Sequence, residues 1–321
     1  MFEEIEEIAK KLSNKKVFVQ IADGLKIYAK QICEIFEKYK VKYLLSLEPT
    51  YGACDLKDDE ALRFNCDALV HIGHADFGVK SKIETYYVHF IFNVNEKKLK
   101  VFEREVEKIK SFKNIGIVSS LQYVKYVEKI KEILKNFGFN VLSAKTLEYE
   151  SQILGCNVSA AKVIENKVDI FLVITEGKFY PVGLLLKTNK PVYVFDLEKE
   201  EIKEITEEKK KYEKIIAWNV VKFREAKEVG LLVSWKKGQI FFNPFKVKEI
   251  LEKLGKKVYV FVMDEILPEK LYGINVNCLV NIACPRIFDD IERYKIPFIN
   301  FSDLLTYEEG IRNYFGKFEE I

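Results

Sequence analysis

The chain has 321 residues, 48% of them apolar and 31% charged, enough length for two or three domains with sizeable cores. Its net charge of +3 is too small for a general nucleic-acid binder, so no nucleic acid is expected as a partner. No apolar run approaches the roughly 18–20 residues of a membrane span. Residues 1–16 read as an acid-studded amphipathic helix, not a secretory leader, so a cytoplasmic protein with no membrane partner is expected.

Along the chain the same pattern recurs three times, a β-branched strand, a turn and a periodic helix. It opens at Lys15 (KKVFVQIADGLK), at Lys113 (KNIGIVSSLQYVK) and at Lys227 (KEVGLLVSWKKGQ). Val124, Val127, Ile130, Ile133 and Leu134 show the three- and four-residue steps of a helix with one buried face. Gly138 and Gly255 stand where two of these helices end, and a left-handed C-cap is expected at each. A second strand follows each helix: KYLLSLE from Lys42, NVLSAKT from Asn140 and KVYVFVM from Lys257.

Further on, three apolar runs align without gaps: DALVHIGHADF from Asp67, DIFLVITEGKF from Asp169 and NCLVNIACPRI from Asn277. Each has the composition of a buried parallel strand. Fourth strands follow in TYYVHF, KPVYVFD and IPFINF. The charged stretches Asn95–Lys113 and Leu197–Lys227 read as connecting helices or linkers. The expected fold is α/β, three homologous parallel-sheet α/β domains, with repeats at 1–100, 101–212 and 213–321. A pseudo-threefold arrangement would aim their strand ends at one centre.

Six cysteines are present, with none of the tight CxxC pairs of zinc ribbons. In a reducing compartment they are not expected to form disulfides. Cys54 lies 13 residues before Asp67 and Cys156 lies 13 before Asp169, so the two occupy equivalent loops. Cys284 instead aligns with His74 and Glu176, just past the third strand of its repeat. Ligands of open α/β sheets collect at such carboxyl ends. Cys33, Cys66 and Cys278 fall on apolar helix or strand positions and read as structural.

For Cys54, Cys156 and Cys284 the residues alone leave two readings open, ordinary loop cysteines or one shared metal site. Their small neighbours (Gly52, Ala53, Gly155, Ala283) let backbone amides approach cluster sulfurs. Structural zinc normally takes four protein ligands, whereas a cubane cluster on three thiolates keeps one iron open.

At YGACD (Tyr51 to Asp55), LGCN (Leu154 to Asn157) and ACPR (Ala283 to Arg286) the chain resembles the archaeal first-step enzymes of diphthamide biosynthesis. ADGLK at Ala22, GHADFG at Gly73, EGKFYPVGL at Glu176 and KKGQ at Lys236 extend the resemblance over essentially the whole chain. It implies a homodimer of three-domain subunits, each with a 4Fe-4S cluster held by Cys54, Cys156 and Cys284. It implies further that the open iron binds S-adenosylmethionine, whose 3-amino-3-carboxypropyl group passes as a radical to a histidine of translation elongation factor 2. A reductant protein supplies the electron. The family lacks the CxxxCxxC loop of ordinary radical enzymes, as does this sequence. Beside the cysteines, His74 and Asp76 are expected to line the cofactor pocket, and the match raises Gln239 as a cofactor contact. Arg286 reads either as a partner for a substrate carboxylate or as half of a structural ion pair.

Rival readings are weaker. Gly73-x4-Gly78-Val79-Lys80-Ser81 has one residue too many for a phosphate loop. His71, His74 and Asp76 suggest zinc, but strand residues three apart point to opposite faces, so only His74 and Asp76 are expected to share a side. His89 reads as a satisfied sheet residue. Lys236, Lys237 and Gln239 could be a plain surface turn. At the level of function the rivals are a quinolinate synthase-like cluster enzyme, whose motifs differ, and a non-catalytic partner subunit, against which the three intact cysteines argue.

Overall fold

The computed structural model describes residues 1–308. These divide into two compact units that meet in sequence at Glu207 and Glu208.

In the first unit, α1 (Phe2–Lys11) precedes β1 (Lys16–Ile21), α2 (Ala29–Lys38), β2 (Lys42–Ser46), α3 (Asp58–Arg63), β3 (Ala68–Ile72) and β4 (Glu84–Val88). The four strands form one parallel sheet in the order β2-β1-β3-β4. Ile5, Ile8 and Ala9 of α1 and Ile32, Ile35 and Phe36 of α2 are their buried faces, packed with Val17, Val19 and Val70 of the sheet. That burial is the driving term.

The same unit continues through α4 (Glu96–Glu105), β5 (Asn114–Ser119), α5 (Val124–Asn136), β6 (Asn140–Leu142), α6 (Ser159–Ile164), β7 (Ile170–Thr175), α7 (Phe179–Leu185), β8 (Val192–Asp196) and β9 (Glu201–Glu204). Its second sheet runs β6-β5-β7-β8-β9, parallel except for β9, which pairs antiparallel with β8. The two sheets of this unit are joined by polar and aromatic contacts. His89 Nδ1 lies 2.7 Å from the Tyr149 hydroxyl, and the Phe92 and Tyr123 rings stack at 5.2 Å. His89 is thus satisfied, as expected.

The second unit opens with α8 (Glu208–Glu225), then β10 (Glu228–Ser234), α9 (Pro244–Lys253), β11 (Lys257–Met263), β12 (Cys278–Asn281), β13 (Phe298–Asn300) and α10 (Phe301–Tyr307). Its parallel sheet runs β11-β10-β12-β13. Asn243 caps α9, its Oδ1 accepting from the Phe245 and Lys246 amides, and Pro244 takes the first helical position.

Each of the three sheets therefore places its first four strands in the order second-first-third-fourth, the pattern expected of three repeats. Gly138 and Gly255 have φ of +87° and +78°, the left-handed values a C-cap requires. One reading needs correction. Leu197–Lys227 is not only helix and linker, because β9 lies in it. With one buried side chain, Ile202, between charged neighbours, that strand is too short for its period of two to show.

Candidate functional site

Cys54 sits in the loop from β2 to α3, and Cys156 in the matching loop from β6 to α6. Both are half-buried thiols. Cys284, also half-buried, stands at the N-terminus of the 3-10 helix Pro285–Arg293, directly after β12. The structure places all three where the repeat alignment puts them.

The Cys54 loop is fastened to the first sheet by Gln20 of β1, which is completely buried. Its Nε2 donates to the Asp55 carbonyl at 2.9 Å, and its Oε1 accepts from the Lys57 amide at 2.9 Å. Asp55 and Lys57 themselves form a buried ion pair at 3.1 Å. Asp58, at the start of α3, accepts from the Lys82 amide at 2.7 Å and ties the loop to the approach of β4. A side chain on Gly52 would sit 3.5 Å from the Cys54 sulfur, so the glycine leaves that flank of the thiol open.

The Cys156 loop is held differently. The Leu154 amide donates to the Asn157 carbonyl at 2.8 Å, and Asn157 Oδ1 accepts from the Ser159 amide at the head of α6. Lys187 donates to the Cys156 carbonyl. The Phe179 ring lies against Gly155 so closely that a Cβ there would stand 2.3 Å from it.

Around Cys284, Asn281 is the clamp. Its Nδ2 donates to the Cys284 carbonyl (2.9 Å) and to Asn300 Oδ1 (2.8 Å), while its Oδ1 accepts from the Ala283 amide (3.0 Å). Asn300 Nδ2 donates in turn to the Pro285 carbonyl at 3.1 Å. Arg286 forks onto Asp289, with Nε at 3.2 and 3.0 Å from its two oxygens, so an ion pair within the 3-10 helix is present. Lys236 and Gln239 are buried. The surface-turn reading of that segment is therefore wrong, and a carboxylate, Glu265, stands 3.9 Å from the buried ammonium of Lys236.

His71 and His74 do meet, contrary to the expectation from strand alternation. His71 Nε2 and His74 Nδ1 are 3.0 Å apart. The reason is Gly73, whose φ of +111° turns the chain immediately past β3, so the period of two stops at Ile72. Burial pushes both imidazoles far below the usual histidine range, to about 3 for His71 and about 4 for His74. Asp76 stays exposed and uses Oδ1 to accept from the Gly78 amide at 2.8 Å, closing the turn behind His74. No helix follows Gly78 before β4, so the phosphate-loop geometry is missing. Among the described residues no three His, Cys, Asp or Glu side chains within either unit gather as a metal site, and the zinc reading of His71, His74 and Asp76 has no ligand set.

Burial pushes the Cys66 thiol up and the Cys278 thiol up to about 12, in keeping with packed, structural positions for both. Cys33 lies on α2 against Tyr43, near the amino end of β2 and not at a carboxyl end. Three half-buried thiols on anchored loops with small neighbours suit soft iron coordination. Gln20, Asn281 and Asn300 escaped the sequence reading, although polar residues inside apolar strands are a visible signal.

The family model described as "diphthamide synthesis protein" matches residues 21–311. The 2-(3-amino-3-carboxypropyl)histidine synthase of Pyrococcus horikoshii is 30% identical over 315 residues, covering 92% of this chain and 86% of that one. Its namesake from Methanocaldococcus jannaschii is 29% identical over 335 residues, covering 99% and 90%. The crystal structure of Dph2 from Pyrococcus horikoshii with a 4Fe-4S cluster matches at a TM-score of 0.84 and 28% identity, covering 94% of this chain and 89% of that one.

Proposed function

The chain belongs to the diphthamide synthesis family, and from that premise we propose that it transfers the 3-amino-3-carboxypropyl group of S-adenosylmethionine to a histidine of translation elongation factor 2. The observation that carries this reading is the pairing of two facts. Relatives named for that histidine product align over nearly the whole chain, and Cys54, Cys156 and Cys284 stand as half-buried thiols on anchored loops.

In this reading the thiolates of Cys54, Cys156 and Cys284 hold a 4Fe-4S cluster, as the similar Pyrococcus horikoshii structure supports. When bound, the cluster offers an open iron to S-adenosylmethionine and one electron to break its sulfur–Cγ bond, with methylthioadenosine as the by-product. The rest of the task is orientation by the protein. Arg286, two residues after Cys284 and forked onto Asp289, is the proposed partner of the methionine carboxylate. Gln239 offers a buried carboxamide, and His74 a neutral imidazole for hydrogen bonding, with Asp76 shaping its turn. Addition to a carbon of the acceptor imidazole, followed by loss of one proton to solvent and return of one electron to the centre that supplied it, would restore the aromatic ring and leave the transfer redox-neutral.

The proposal includes a homodimer, a reductant protein as electron source and a cytoplasmic setting, where the elongation factor works. No described helix is long and apolar enough to cross a membrane. Domain limits are proposed at 1–100, 101–212 and 213–321, supported by the shared strand order. Anaerobic purification with iron and sulfide quantitation tests the cofactor. About four irons and four sulfides per chain are expected, and a chain that takes up neither on reconstitution would refute it.

A further inference from the structure

One cross-strand row differs among the three sheets. In the first, Gln20 of β1 stands beside His71 of β3, which stands beside Tyr87 of β4. In the third, the matching row is Leu232, Asn281 and Asn300. In the second it is Val118, Val173 and Val194, as a buried parallel sheet ordinarily has it. Residues paired in register on neighbouring strands share a face. Polar groups have thus replaced apolar ones at a buried layer, near the carboxyl ends of two sheets only.

Such replacements cost stability unless every polar atom finds a partner. The carboxamides of Gln20, Asn281 and Asn300 find theirs, chiefly in loop backbone, whereas His71 Nδ1 has none among the described residues. Gln20 uses both ends of its carboxamide on Asp55 and Lys57, the first and third residues after Cys54. Asn281 uses its carboxamide on Cys284, Ala283 and Asn300, and Asn300 reaches Pro285. Gln20 is fully buried, and Asn281 and Asn300 are 2% and 6% exposed, so water does not compete for these bonds. The second sheet shows that the fold itself does not require them.

We propose that Gln20 and the Asn281–Asn300 pair are positioning residues that fix the backbones of the Cys54 and Cys284 loops before any cluster arrives. The inference rests on reading those cysteines as cluster ligands. A loop already set in its ligating shape loses no conformational freedom on binding, and it keeps its amides aimed near the sulfurs after binding. The Cys156 loop achieves the same end with its own Asn157 and with Lys187.

The test uses substitutions the fold already employs at equivalent positions: Gln20→Leu, after Leu232, and the double Asn281→Val/Asn300→Val, after Val173 and Val194. Leu172→Ala serves as a control that loosens a core with no residue from the cysteine loops in it. In the cluster-free chain, amide exchange should quicken at 52–57 in the first variant and at 283–286 in the second. In the reconstituted chain, iron loss to a chelator should be about 10- to 100-fold faster, the usual cost of losing a supporting hydrogen bond, with a changed electron-resonance signature of the reduced cluster. Neither change is expected for Leu172→Ala. Should the double variant fail to fold, Gln20→Leu carries the test on its loop alone. Folded variants with wild-type iron retention and resonance overturn the proposal. Cys54→Ala and Cys284→Ala separate the two levels: full clusters in these would overturn the ligand reading and this inference with it, whereas their loss beside intact carboxamide variants overturns this inference alone.

Discussion

His71 Nε2 and His74 Nδ1 face each other at 3.0 Å, a contact that one shared proton bridges and in which burial keeps both rings neutral. His71 Nδ1 is buried with no hydrogen-bond partner among the described residues. An orphaned acceptor is the lesser burden than an orphaned N–H, so the shared proton belongs to His71 Nε2, and His74 carries its own on Nε2. Both folded pKa values, about 3 and about 4, lie below the ordinary 6.5. The unfolded chain therefore binds more protons between pH 6.5 and about 4, and stability falls as pH drops through that window. The loss expected by pH 5 is on the order of 2 kcal/mol per imidazole. His71→Gln/His74→Asn should flatten the difference between urea midpoints at pH 7 and pH 5. An unchanged pH slope in that variant would show that other groups cause it.

The six cysteines should divide three and three. Replacing Cys54, Cys156 or Cys284 by Ala should abolish the absorbance near roughly 400 nm that cluster sulfur-to-iron charge transfer gives. Cys33→Ala, Cys66→Ala and Cys278→Ala should keep it. Cys278, fully buried in β12, should cost about 1 kcal/mol in stability when truncated. A full cluster in two of the first three variants would sink the ligand assignment.

Two glycines beside the site should respond unequally to alanine. At Gly73 a Cβ would lie 2.6 Å from the Ala22 Cβ, and its φ of +111° is itself hostile to a side chain. Gly73→Ala should destabilise by about 3 kcal/mol or more and part His71 from His74. At Gly155 the obstacle is the far edge of the Phe179 ring, and that residue is half exposed and can swing aside. Gly155→Ala should cost about 1 kcal/mol. Equal thermal shifts for the two variants would contradict the distinction.

Much of the fold was legible because the apolar runs are long and their order repeats. DALVHIGHADF, DIFLVITEGKF and NCLVNIACPRI each contain the third strand of their sheet, and the cysteine loops follow from that alignment. What was not legible depended on single residues that break a period. Gly73 ends the strand alternation and brings His71 to His74. β9 shows one buried side chain, Ile202. Lys236 and Gln239 look like surface residues until the packing of their segment is known. Gln20 and Asn281 were readable as polar breaks in apolar runs, but the partners of Gln20 lie 35 and 37 residues away, and Asn281 joins its near partners Ala283 and Cys284 to Asn300, 19 residues on.

Light scattering at micromolar concentration should give the mass of two chains. Closed twofold dimers are the commonest oligomers, and the proposed function includes one. A single-chain mass across that range would refute the dimer and leave the site assignments untouched.

Product analysis reaches the chemistry most directly. Which carbon–sulfur bond of S-adenosylmethionine breaks depends on how the protein orients the sulfonium. Dithionite-reduced, reconstituted protein incubated anaerobically with S-adenosylmethionine and an archaeal elongation factor 2 should yield methylthioadenosine. The factor should become about 101 Da heavier at one histidine, the mass of the added aminocarboxypropyl group. Mainly 5′-deoxyadenosine, with the factor's mass unchanged, would contradict the proposed transfer even in a chain that carries its cluster.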